Sequence, residues 1–118
     1  MNDSELLELA AKAAGYELQD HTVLGDGLWL YGDGQSKTDD GREIFFWSPL
    51  ADDGDAFRLA AYLRLEVIPG KHAGDGCSVN SRRHEIPGVT VFRDSKDMAE
   101  QMRRAIVMAA AEIRKSMP

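Results

Sequence analysis

Met98, Met102, Ala105, Ile106, Ala109, Ile113 and Met117 recur at intervals of three and four residues, with one short gap filled by Ala105 and Ile106. That spacing draws one apolar stripe along a long helix, capped by Asp94 or Ser95 and running to about residue 116. A stripe of this length has to be covered, so the rest of the chain must supply the surface that covers it. The segment just before it is a strand: residues 89–93 (Val-Thr-Val-Phe-Arg) are rich in β-branched side chains. Residues 65–68 read as another strand, stopped by Pro69-Gly70, and 77–81 as a weaker one.

The first half has the same mixed character. Residues 4–14 read as a helix, with Leu6, Leu9, Ala10 and Ala13 on one face, Asn2 or Asp3 as its cap, and Gly15 at its end. Residues 27–31 and Glu43–Trp47 are aromatic-rich runs separated by a polar, glycine-containing stretch, the pattern of a hairpin with a long tip. Pro49 stops the second run. Asp52-Asp-Gly-Asp55 then opens a helix over residues 56–63, whose Phe57, Leu59, Ala60, Ala61 and Leu63 predict burial around most of its surface. The sum is α+β: a mostly antiparallel sheet of four to five strands packed with three helices in a layered sandwich, in the order α-β-β-α-β-β-β-α. No repeat, linker or low-complexity tract interrupts the 118 residues, so one domain over 1–118 is expected.

Charge and cysteine content bound the function. Net charge is −6, and residues 1–60 hold thirteen acids against four bases while the remainder holds seven against ten. An acidic chain makes a poor nucleic-acid binder, because phosphate neutralisation needs a basic face. Arg82, Arg83, His84, Arg93, Arg103 and Arg104 are too few to reverse that. One cysteine, Cys77, forms no internal disulfide, which fits a reducing compartment. The start is acidic, and the longest apolar run, 107–111, is far too short to cross a bilayer. A cytoplasmic protein without membrane attachment is expected.

None of the usual chemical signatures is complete in this sequence. Asp52, Asp53 and Asp55 cluster around a glycine, but the twelfth position of a Ca²⁺ loop begun at Asp52 is Leu63, where a glutamate is needed. Capping of the following helix accounts for these acids. His21, His72 and His84 share no zinc spacing with one another or with Cys77. The glycine-rich stretch 70–76 lacks a phosphate-loop pattern. No catalytic residue, metal ligand or cofactor is therefore assigned. In the hairpin, alternation puts Trp29 and Tyr31 opposite Leu28 and Leu30, and Phe45 and Trp47 opposite Ile44 and Phe46. Both faces are apolar, so one belongs to the core and the other is covered or meets a partner. Trp29, Tyr31, Phe45 and Trp47, with Asp52, Asp53 and Asp55, are the candidate interface residues.

Three stretches, Leu6 to Gly15, Trp47 to Leu59 and Arg104 to Ile113, resemble a group of small proteins encoded by tailed bacteriophages and prophages of proteobacteria. Those proteins share a Trp-Asn-Pro-Leu-x-Asp-Asp-Gly-Asp-Ala core; Ser48 stands here in place of the asparagine. The resemblance implies a phage or prophage origin, residence in the cytoplasm of a bacterial host and kinship with phage α-β-α sandwich domains. It carries over no active site. The expected function is that of an accessory protein that binds a host or phage protein, one version being inhibition of a host defence or nucleic-acid-binding complex through the acidic half. Two alternatives stand beside it: a small enzyme using Cys77 or the Asp52–Asp55 cluster, and a homo-oligomeric assembly protein, a homodimer included, joined through the methionine-rich last helix.

Overall fold

The computed structural model describes residues 2–24, 27–70, 76–81, 83, 84, 86, 88–91 and 97–117, with the backbone alone at 20–24, 33, 35 and 90. Among the described residues the order is α1 (Asp3–Ala13), β1 (Glu17–Leu24), β2 (Gly27–Lys37), β3 (Glu43–Trp47), α2 (Asp53–Leu63), β4 (Leu65–Pro69), β5 (Cys77–Ser81), β6 (Val89–Val91) and α3 (Met98–Ser116). The strands form two antiparallel sheets, β1-β2-β3 and β4-β5-β6. The α+β class, the three helices and the antiparallel pairing match the sequence expectation. The strands divide between two sheets, and the first gains a strand that the sequence reading lacked, β1, which joins the hairpin. The segment Glu-Leu-Gln-Asp-His-Thr-Val-Leu has too few apolar residues to announce a strand, yet it pairs from Glu17↔Tyr31 to Leu24↔Gly27.

The hairpin tip is shorter than expected. Strand β2 runs on to Lys37, across an irregularity where both Tyr31 and Ser36 register with Ile44. The turn closes between Thr38 and Arg42: the Thr38 amide donates to the Arg42 carbonyl at 2.9 Å and the Arg42 amide to Thr38 Oγ1 at 3.2 Å. Thr38 Oγ1 also donates to the Asp40 carboxylate, which holds that carboxyl below its ordinary value.

All three helices begin on side-chain caps. Asn2 Oδ1 accepts from the Glu5 amide at 2.8 Å, Asp52 Oδ2 from Asp55 at 2.9 Å, and Asp97 Oδ1 from Ala99 at 3.0 Å. Each satisfies an amide that the first helical turn leaves without an intrahelical partner. Helix α3 thus starts on Asp97; the expected caps Asp94 and Ser95 lie outside the described residues, as do the end of the strand at 92–93, loop residues 71–75 with His72, and Arg82.

Helix α3 packs against α1, α2 and all three strands of the second sheet, and α1 in turn packs on β1. The buried residues form one continuous cluster, in which Leu28, Leu30 and Trp47 of the first sheet join Val79 and Val91 of the second. Arg104 of α3 reaches Asp3 of α1 through two bonds of 3.0 and 3.1 Å, a fork that fixes one helix against the other. The stripe packs inward through its buried Ala105, Ile106, Ala109 and Ile113, while Met98, Met102 and Met117 are half-buried against the core.

Helix α2 departs from the expected all-round burial. Ala56, Leu59, Ala60 and Leu63 face inward, but Phe57 is 73% exposed and Tyr62 61% exposed. The helix has α3 and β4 as its packing neighbours, so only the stripe on that side finds cover. It ends on Arg64, a left-handed residue (φ 56°, ψ 48°) whose amide closes the last turn onto Ala60 and Ala61.

Candidate functional site

The register of β2 with β3 sorts the aromatic side chains. Trp29 pairs with Phe46, Tyr31 with Ile44, Leu28 with Trp47 and Leu30 with Phe45. Leu28 and Leu30 are fully buried and Trp47 is 2% exposed, so these residues with Phe45 form the core face. Tyr16 closes over that face, meeting Phe45 and Trp47 edge-on with ring centroids 5.7 and 5.6 Å away. Its own hydroxyl is pushed up in pKa by burial, then by the Asp55 charge.

The opposite face carries Trp29, Tyr31, Ile44 and Phe46. Trp29 and Phe46 sit edge-to-face at 5.4 Å, and Phe46 is 42% exposed. Arg42 stacks over the Tyr31 ring at 3.6 Å while donating to Glu17 at 2.9 Å, so the tyrosine is partly roofed and the Trp29–Phe46 pair is the open end of the patch. Of the four aromatic candidates, Trp29 and Tyr31 therefore lie on the outer face. Phe45 and Trp47 belong to the core side, because successive residues of a strand face opposite ways and the pairing sets Trp29 against Phe46. Phe46 and Ile44 take their places, and only the strand register tells which half of each run points outward.

The three candidate aspartates are already engaged. Asp52 caps α2 and lies 3.9 Å from Arg58. Asp53 pairs with Arg103 at 2.6 Å. Asp55 accepts from the Ser48 amide at 2.9 Å and from Arg58 at 2.6 Å. Asp52 and Asp55 share a shallow cleft with Phe45, Phe46 and Arg58, between β3 and the start of α2. Asp53 points to the other side of the helix. Among the described residues no three metal-ligating side chains converge. Cys77 is 1% exposed and its thiol is pushed above its ordinary value by burial, the opposite of what a nucleophilic thiolate needs. No helix among the described residues is long and apolar enough to cross a membrane.

A second surface was not legible in the sequence. An open groove of about 700 Å³ lies between α2, β4 and α3. The α2 wall is Ala56, Phe57, Ala60 and Ala61. Leu65 and Val67 of β4 form the facing wall, and Ala99, Met102 and Ile106 of α3 the floor. Its polar residues are Asp53 at the start of α2, joined in an ion pair to Arg103 of α3, and Arg64 just past the end of α2. The exposed Phe57 was the available signal, hidden because helical spacing alone places it beside buried neighbours.

Comparison of the chain with protein-family models, with curated proteins and with solved structures finds no match. The class that the fold defines is thus a small α+β chain of two antiparallel sheets joined through helices, and its functional reading rests on the surfaces just described.

Proposed function

We infer that this chain is a phage- or prophage-encoded accessory protein that works by binding a host or phage protein in the bacterial cytoplasm. The observation that carries the reading is the outer face of the first sheet. Trp29 and Phe46 form an edge-to-face pair there, with Phe46 42% exposed, beside Ile44 and the Arg42-covered Tyr31. Tryptophan, tyrosine and arginine are the residue types that dominate binding energy at protein interfaces. The Trp-Ser-Pro-Leu-Ala-Asp-Asp-Gly-Asp-Ala stretch supports the phage origin. Recognition is assigned to the aromatic face because Asp52, Asp53 and Asp55 already hold arginines of this chain.

The test is capture from host lysate with the wild-type chain and with Phe46→Ser, followed by titration of the purified partner. A partner held by the wild type and weakened at least tenfold by the substitution supports the reading. Recovery of no specific partner, or equal affinity for both chains, counts against it.

A further inference from the structure

We propose that the groove between α2 and β4 is a docking site for the extended C-terminal tail of a partner protein, whose terminal carboxylate is held by Arg64. The inference rests on the reading of this chain as a binding protein, but it uses a different surface.

Three observations converge on that occupant. The first is the open edge of β4. This strand pairs only with β5 among the described residues. The Gly70 amide donates to the Gly76 carbonyl, and pairing continues through Ile68↔Ser78 and Glu66↔Asn80. Antiparallel pairs alternate between hydrogen-bonded and non-bonded, so this phase turns the backbone groups of Leu65 and Val67 away from β5. Those are the two β4 residues that line the groove. Pro69 occupies the next outward position, where its missing N–H costs no bond to β5 and limits any added strand to the Leu65–Val67 stretch. An extended segment laid here gains main-chain bonds from β4.

The second observation is the shape of the groove. Helix α2 ends at Leu63 and β4 begins at Leu65, so Arg64 alone joins the two walls. They converge there, and a chain running between them toward that junction has nowhere to continue. A tail ending at the junction runs against the direction of β4, which gives antiparallel pairing. The small side chains of Ala56, Ala60 and Ala61 leave room for a backbone beside α2.

The third is charge. Arg42, Arg58, Arg103 and Arg104 each hold a carboxylate of this chain. Arg64 is exposed, and while its backbone amide closes α2, its guanidinium has no hydrogen bond or ion pair among the described residues. It stands where α2 and β4 meet, at the opposite end of the groove from the Asp53–Arg103 pair and with apolar side chains between, in a left-handed conformation that glycine adopts more readily. A carboxylate that ends an apolar tail complements it.

The experiment is an amide-shift titration of the whole chain with acetyl-Val-Thr-Val-Leu, carrying either a free C-terminal carboxylate or a C-terminal amide. The free acid is expected to give saturable shifts at Leu65, Val67, Ala61 and Met102. The amide form should bind about tenfold more weakly, as for loss of a charge-assisted hydrogen bond. Arg64→Gln should lose the preference for the acid, and Arg64→Gly, which suits the left-handed backbone, should lose it with the fold intact. No saturable shift, shifts centred on Trp29 and Phe46, or an acid preference that survives both substitutions would each overturn the proposal. A partner lost with Phe46→Ser but indifferent to Arg64→Gln keeps the earlier reading and removes this one. Peptide binding that depends on Arg64, without any partner that depends on Phe46, does the reverse.

Discussion

Trp29 and Trp47 lie on neighbouring strands of one sheet, yet their truncation should cost different amounts. Trp47 is 2% exposed and meets the Tyr16 ring at 5.6 Å. Burying about 200 Å² of tryptophan side chain at about 25 cal/mol/Å² is worth about 5 kcal/mol. Trp47→Ala should therefore cost about 4 kcal/mol, much of a total stability that is commonly about 5–15 kcal/mol. Trp29 lies on the outer face, where its main aromatic contact is Phe46 at 5.4 Å. Trp29 is half-buried, and its partial burial adds to an edge-to-face pair worth about 1 kcal/mol, so Trp29→Ala should cost about 2 kcal/mol, about half the cost at Trp47. Urea unfolding followed by far-ultraviolet circular dichroism measures both, with the slope m checked for constancy. Equal costs would refute the reasoning. They would mean that the outer face is covered as completely as the core, and the interface reading of Trp29 and Phe46 would fall with it.

Cys77 and Tyr16 both have pKa values raised by burial from ordinary values of 9.0 and 10.0. The unfolded chain therefore ionises first as pH rises, and stability should be intact below pH 9 and fall above it; Cys77→Ala should flatten the first part of that fall in thermal melts run from pH 8 to 10.5. Arg64→Gly removes a left-handed non-glycine residue and should raise stability by about 1 kcal/mol in urea titration. Gly27→Ala would drive a Cβ into the Trp47 carbonyl oxygen, a backbone atom that cannot turn aside, and should cost about 2 kcal/mol by the same assay. Asp55→Ala removes acceptors of the Ser48 amide and of Arg58 and should cost about 2 kcal/mol, more than Asp53→Ala, whose carboxylate is largely exposed.

What the sequence disclosed was periodic, and what it concealed was pairing. The α3 stripe, the aromatic hairpin, and the caps Asn2 and Asp52 are local signals, and they appear in the structure near their expected places. Strand β1 is a strand because β2 lies beside it; its own residues are mostly polar. The outer face of the hairpin followed the same rule. Period-two alternation splits Glu43–Trp47 into two sets but cannot say which set meets the core, and a shift of one residue would exchange them. The register Trp29↔Phe46 decides it. The α2 groove needed three elements at once. Phe57, Val67 and Met102 are distant in sequence, and only the packing of β4 and α3 against α2 brings them together.

The acidic first half has a more specific meaning once its charges are placed. The carboxylates that looked most like a site are the ones most committed to structure. Asp52 caps α2, Asp55 pairs with Arg58 of the same helix and accepts from the Ser48 amide just after β3, and Asp53 holds Arg103 beside the groove. Asp3 fastens α1 to α3 through Arg104, and Glu17 anchors Arg42 over Tyr31. Asp53 and Asp3 thus hold arginines of α3, and Glu17 holds one in the hairpin turn, so the pairing is part of the packing. A recognition role for the Asp52–Asp55 stretch would require breaking these contacts first. The Trp29–Phe46 pair and Arg64 need no such rearrangement. They are side chains whose present surroundings leave contact area or charge open, and for that reason binding is assigned to them.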